Sequence, residues 1–137
     1  MIIVDDHLAL LALVGPVPVE IEADQLVTTY AFHYRLLRAV ADDSHPGSLT
    51  GRFSDPESAL RRVMLPPADR LVVLDPRQSL EQAVGVAGRH PANLLLAELL
   101  GAALLHRAKV RVSRANVGRS WPAIMRAESV DFVAVDI

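Results

Sequence analysis

The 137-residue chain contains no cysteine. A disulfide framework and a thiolate metal site are therefore both excluded, and a reducing, cytoplasmic compartment is the expectation. Metal ligation by imidazole has little support. His7, His33, His45, His90 and His106 show no HxxxH or HxH spacing of the kind that gathers a zinc ion from one element. The longest apolar stretch, Leu94 to Leu105, is broken by Glu98 and falls short of the roughly 20 residues that a membrane span requires. It reads as a buried helix. The N-terminus lacks a basic region and opens with strand residues, so no signal peptide is expected. There is no Gly-x-Ser-x-Gly elbow and no phosphate-binding glycine loop, which leaves acyl transfer and nucleotide hydrolysis without support.

Lysine is nearly missing too: Lys109 stands against thirteen arginines. The net charge of −2 conceals an asymmetry. Asp5, Asp6, Glu20, Glu22 and Asp24 all precede the first basic residue, Arg35. Arg107, Lys109, Arg111, Arg114, Arg119 and Arg126 follow one another with no acid between Glu98 and Glu128. Such a basic stretch is the electrostatic footprint expected of a nucleic-acid or acidic-protein contact, or of a solvated face. About half of the residues are apolar (51%), enough for residues 1–137 to bury one core as a single domain.

Ile2-Ile3-Val4 is a short β-branched run of the kind found in strands buried on both faces, and it ends in Asp5 and Asp6. Ligands of open α/β sheets gather beyond the carboxyl ends of the strands, which makes Asp5 the first residue to suspect. A short helix from Leu8 to Val14 ends at Gly15-Pro16. The pattern then predicts a helix from Gln25 to about Ala41, with Asp24 as N-cap and Leu26, Tyr30, His33/Tyr34, Leu37 and Val40 on one face. Ser44-His45-Pro46-Gly47 is turn chemistry within a loop from Asp43 to Phe53. Ser54 to Glu57 reads as a capping box opening a third helix that Pro66-Pro67 stops. Leu71 to Leu74 is a second strand, followed by an Asp75-Pro76 cap and a helix from Arg77 to Arg89. A long apolar helix from Ala92 to Arg107 leads to a third strand, Lys109 to Ser113. A helix from Pro122 to Glu128 precedes the fourth strand, Phe132 to Val135. Alternating strands and helices predict a three-layer α/β/α domain with a central, mainly parallel four-stranded sheet. Trp121 is expected to cover one end of the core.

Ile2-Ile3-Val4-Asp5 with Leu8-Ala9-Leu10-Leu11-Ala12-Leu13, the helix running to Arg38, the alanine-leucine run from Asn93 to Val112 and the turn Ser113-Arg114-Ala115-Asn116 together resemble a PIN domain. The likeness is to the VapC toxins of VapBC toxin-antitoxin pairs, and it extends over nearly the whole chain. It implies Mg²⁺- or Mn²⁺-dependent ribonuclease chemistry, in which clustered carboxylates hold the ion that generates hydroxide. It also implies an antitoxin-like protein partner, an RNA substrate and a homodimer. This chain departs from the family at the acids themselves. Asp5 matches the first, but the second falls at Tyr30, the third at Asn93 and the last at Ala115 or Asn116. The expectation is a PIN-like domain with a degenerate site that binds RNA or a protein partner through Arg107, Lys109, Arg111, Arg114 and Arg119. The alternative is an active ribonuclease that gathers Asp5, Asp6, Asn93 and Asn116, with Glu98, around the ion. A minor alternative is a receiver-like domain, since Val4-Asp5-Asp6-His7 resembles the receiver acidic pair and Leu71 to Asp75 the phosphoacceptor strand. Against it stand the missing second strand between those acids and the position of Lys109 at the start of a strand.

Overall fold

A computed structural model describes residues 1–22, 24–42 and 54–137. The predicted loop from Asp43 to Phe53, with its Ser44–Gly47 turn, lies outside the described residues. Five strands form one sheet: β1 (Ile2–Val4), β2 (Leu26–Thr28), β3 (Val72–Val73), β4 (Lys109–Ser113) and β5 (Phe132–Val135). Its order is β3-β2-β1-β4-β5, and every neighbouring pair is parallel. The helices are α1 (Asp6–Val14), α2 (Tyr30–Ala41), α3 (Pro56–Met64), α4 (Leu80–Arg89), α5 (Leu94–His106) and α6 (Trp121–Ala127). Among the described residues no helix is long and apolar enough to cross a membrane.

The two faces of the sheet carry two cores, as side-chain alternation along a strand requires. Ile3, Val27, Val110 and Val112 pack with Leu96, Leu99, Leu100 and Ala103 of α5 and with Trp121 and Ile124 of α6. Ile2, Val4, Leu26 and Val135 pack with Leu8, Ala9 and Ala12 of α1, Leu36 and Val40 of α2, and Val63 of α3. Each fully buried aliphatic side chain contributes about 1.5–3 kcal/mol relative to an exposed one. The third layer predicted from the alternating pattern is thus present, and Trp121 is buried as expected.

The sheet has five strands where four were predicted. Leu26-Val27-Thr28, taken as the first turn of a helix, is a strand paired with both β1 and β3, and all three residues are buried. Leu26 to Val40 does carry helical spacing, but a three-residue run with two β-branched members beside a waiting strand gains backbone partners that a helix turn at the same place could not supply. Asp24 is therefore no helix cap: its Oδ1 accepts from the Met1 amino group and from the Gln25 amide, both at 2.8 Å. Thr29 caps α2 instead. Smaller corrections follow the same logic of local donors. Asp55 rather than Ser54 caps α3, accepting from the Ser58 amide at 3.1 Å. Asp75 does cap, but the turn it opens (Pro76–Ser79) is 3₁₀ before α4 begins. Asn93 caps α5, which starts at Leu94 rather than Ala92.

The strand missing from the receiver-like alternative is thus present as β2, yet the order still separates the two acidic sites. In the 2-1-3-4-5 order of flavodoxin-like and receiver sheets the third strand lies beside the first, whereas here β2 stands between β1 and β3. Order 3-2-1-4-5 places the topological switch point between β1 and β4. From β1 the chain winds outward through β2 and β3, then returns across the sheet to β4. That crevice is where side chains of α/β sheets meet ligands.

Helices α4 and α5 approach most closely at Gly101, where an added Cβ would lie 2.7 Å from the Ala83 amide nitrogen and 2.9 Å from its Cα. Backbone cannot yield as a flexible side chain would. Gly101→Ala is expected to destabilise the fold by about 2–3 kcal/mol in urea unfolding, a typical overpacking effect. Gly88→Ala, with nothing within 4 Å of the new methyl, is expected to stabilise by up to about 1 kcal/mol through helix propensity.

Candidate functional site

Asp5 leaves β1 and becomes the N-cap of α1, its Oδ1 accepting from the Leu8 amide at 3.0 Å. Its other oxygen is more heavily engaged. Oδ2 accepts from the Ser113 amide at 3.0 Å, the Ser113 hydroxyl at 2.6 Å and Nδ2 of Asn116 at 2.7 Å. Ser113 ends β4 and Asn116 lies in the 3₁₀ turn that follows, Arg114–Asn116. The carboxylate of Asp5 is fully buried and joins β1, α1 and the exit of β4. A buried charge survives only when so satisfied.

Proton counting fixes the neighbouring histidine. Ser113 has a single hydroxyl hydrogen, which goes to Asp5, so the 2.8 Å contact between Ser113 Oγ and His7 Nδ1 has the imidazole as donor. His7 therefore carries its proton on Nδ1 and is exposed. The order His7, Ser113, Asp5 differs from that of a nucleophilic triad, in which the histidine takes the serine proton. Here the proton is committed to Asp5, and the buried Ser113 is not activated.

Asp6 lies beside this group. Nδ2 of Asn116 donates to Asp6 Oδ1 at 2.7 Å as well as to Asp5, so one amide bridges two carboxylates. Arg35 from α2 completes the arrangement, with Nε 3.5 Å from Asp6 Oδ2 and Nη2 donating to Asn116 Oδ1 at 3.2 Å. Its guanidinium also sits 5.8 Å from the centre of the Phe32 ring. Burial pushes the Asp6 carboxyl above its usual value, Arg35 opposes that rise, and the charge of Asp5 adds to it.

Of the residues expected around an ion, the structure brings together Asp5, Asp6 and Asn116. Glu98 and Asn93 serve elsewhere. Both oxygens of Glu98 accept from the first turn of α2, from the Tyr30 amide at 2.8 Å and the Ala31 amide at 3.2 Å. A carboxylate facing a helix N-terminus satisfies orphan donors and complements the dipole. Tyr30, the position of the lost second acid, receives an acid's oxygen at its backbone while its ring points to solvent. Asn93 accepts from the Leu96 amide at 3.0 Å.

Mg²⁺ or Mn²⁺ requires near-octahedral oxygen ligation, with several lone pairs converging on one point. Around Asp5 the converging groups are instead N–H and O–H donors, the amide of Asn116 donates to both acids, and the guanidinium of Arg35 stands beside Asp6. Among the described residues no group of three or more His, Asp or Glu is arranged to hold an ion. The residue set does not fit a hard divalent cation.

The basic stretch is divided rather than assembled. Arg107 and Lys109 flank the entrance of β4, and Lys109 lies 3.9 Å from Asp24. Arg111 folds onto Asp131 at 3.0 Å, which explains how a charged residue fits an inner strand. Arg114 pairs with Asp136 at 2.6 Å beyond the other end of β4, and Arg119 is exposed before α6. Ser113 and Arg35 are the site residues that sequence reasoning missed. No spacing links position 35 to positions 5, 6 and 116, and the misplaced start of α2 hid which way it faces. No protein-family model matches the chain, and no curated protein matches it either.

Asp5→Ala would strand four donors and remove a helix cap, so a loss of about 3 kcal/mol or more is expected in urea unfolding. A second expectation concerns pH. Burial holds the Glu98 carboxyl above its ordinary value of 4.5, while the Ala31 and Tyr30 amides oppose that rise. The folded state therefore binds more protons than the unfolded state just above that value, and stability falls as pH rises through this window. Glu98→Gln cannot titrate. The stability of the native chain relative to this variant should decline as pH rises through and above the ordinary value of 4.5, measured by denaturation at each pH.

Proposed function

We propose that the protein is a PIN-like domain of the VapC-toxin type that acts by binding a protein partner in a toxin-antitoxin or regulatory setting, and not by hydrolysing RNA. One observation carries the reading. The carboxylate at the switch point is closed by four donors of its own chain, and the carboxamide of Asn116 stands between the two acids that an ion would have to bridge. An amide supplies hydrogens where catalysis by metal needs oxygens and negative charge.

The choice of protein over RNA rests on charge. RNA binding draws on several cations free to replace counterions along one track. Here Arg111 and Arg114 are paired with acids, Arg107 and Arg119 sit beyond opposite ends of β4, and the chain is net negative. Asp5, Asp6 and Asn116 do converge, which is what favours the second reading, an Mg²⁺- or Mn²⁺-dependent ribonuclease. That reading needs the amide and Arg35 to be displaced.

The two readings separate in one experiment. Labelled RNA incubated with the native chain and Mg²⁺ or Mn²⁺ should remain intact, and Mn²⁺ should leave the thermal midpoint unchanged. Asn116→Asp supplies a third carboxylate, so this variant should gain Mn²⁺-dependent stabilisation, read by calorimetry. Metal-dependent cleavage by the native chain that disappears in Asp5→Asn would overturn the proposal.

A further inference from the structure

Helices α5 and α6 end in the same way. Arg107 (φ 50°) follows α5 and Ser129 (φ 56°) follows Glu128 after α6, and among the described residues these are the non-glycine positions with left-handed backbone. In each case the next amide closes a Schellman turn: Ala108 donates to the Ala103 carbonyl at 3.1 Å, and Val130 to the Met125 carbonyl at 2.9 Å. This conformation favours glycine, which lacks the Cβ that crowds the following carbonyl oxygen. The two turns feed adjacent strands, and the Val110 amide donates to the Asp131 carbonyl at 2.8 Å across their entrances. Between the turns lies a cavity of about 380 Å³ whose apolar lining is Ala103, Leu104, Ala108 and Val130. Ligand pockets run from about 300 to 1,000 Å³, so this one suits a small molecule.

The surrounding charges set the sign of the occupant. Arg107 lines the cavity, is exposed, and its guanidinium has no hydrogen bond or ion pair among the described residues. Lys109 lines it too, and its nearest acid, Asp24, is 3.9 Å away and already holds the Met1 amino group at 2.8 Å. Asp131, the carboxylate among the lining residues, is bound by Arg111 at 3.0 Å. The carbonyl ends of α5 and α6 each carry about half a negative charge, which the two whole positive charges exceed. Phosphate sites draw on rows of amides at helix N-termini, whereas both helices here present their C-terminal carbonyls. A carboxylate needs only the fork of an arginine, and the aliphatic lining suits a hydrocarbon body.

We propose that this cavity binds a small aliphatic carboxylate, with its head group on Arg107 and Lys109 and its chain against Leu104, Ala108 and Val130. Arginine at a position that favours glycine trades backbone ease for ligand recognition. The cavity lies at the amino ends of β4 and β5, whereas Asp5 binds Ser113 at the carboxyl end of β4. The site therefore stands whether or not the switch point is catalytic.

Monomeric octanoate is the probe, with octylamine, octanol and inorganic phosphate beside it. Titrated into the full chain, octanoate should bind saturably in calorimetry. It should shift the amides of Leu104 to Lys109 and Ser129 to Asp131 and leave those of Asp5 and Asp6 in place. Arg107→Gly separates recognition from structure: it should raise the thermal midpoint by a few degrees and weaken octanoate about tenfold or more. Ser129→Gly relieves the same backbone strain without removing a charge, so octanoate affinity should stay within about twofold of the native value. No saturable binding of octanoate, equal or tighter binding of octylamine, octanol or phosphate, or full affinity in Arg107→Gly would each overturn the proposal. A lowered midpoint in Arg107→Gly would make the arginine a structural cap and overturn it equally.

Discussion

A single buried carboxylate holds the centre of this protein together. Asp5 ends the middle strand, starts the first helix and receives the backbone amide and hydroxyl that finish β4. Parallel strands have no direct hairpin between them, so the alignment of β1 with β4 across more than a hundred residues depends on contacts at their ends as well as on the ladder. A charge excluded from water demands donors in defined places. That demand fixes the Arg114–Asn116 turn, the tautomer of His7 and the place of Asn116, and through Asn116 it fixes the position of Arg35.

The same demand explains why chemistry and architecture part company here. An acid at the mouth of a parallel sheet becomes a metal ligand when other acids leave its lone pairs open. With asparagine and arginine as neighbours, the carboxylates find hydrogen-bond donors and one opposite charge within the chain, and Asp6 settles there despite a burial that favours its protonated form. The contacts tie β1, α1, α2 and the exit of β4 into one brace. On the outer side of α2 a chain poor in aromatics exposes both of its tyrosines.

Much of the architecture was legible in the residues. The β-branched run at Ile2 to Val4, the recurring valines of Lys109 to Ser113 and Phe132 to Val135, the helix stop at Gly15-Pro16, and the apolar girth of α5 each reflect a local energetic preference strong enough to survive folding. Strand β2 was not legible, because Leu26-Val27-Thr28 is compatible with the helical period that runs on to Val40. What tipped it to strand was an open edge of β1 and the Val72–Val73 pair on its other side. The grouping of Asp5 with Asp6 and Asn116 was foreseeable, whereas the bonds from Ser113 to Asp5 and the separate engagements of Glu98 and Asn93 at helix N-termini were not. A carboxylate on a helix looks the same in sequence whether it faces a metal or an orphan amide.

The amino-acid sequence by itself determined the layered α/β class, the two aspartates after the first strand and the shortage of further acids at the positions the resemblance implies, since these follow from periodicity, capping residues and residue identity. Only the tertiary structure decided the fifth strand, the 3-2-1-4-5 order, the insertion of Arg35 beside Asp6 and the scattering of the basic stretch to both ends of β4. Those outcomes depend on which surfaces compete for the same partners at long range, and free energies of that kind belong to pairs of distant residues rather than to any local run.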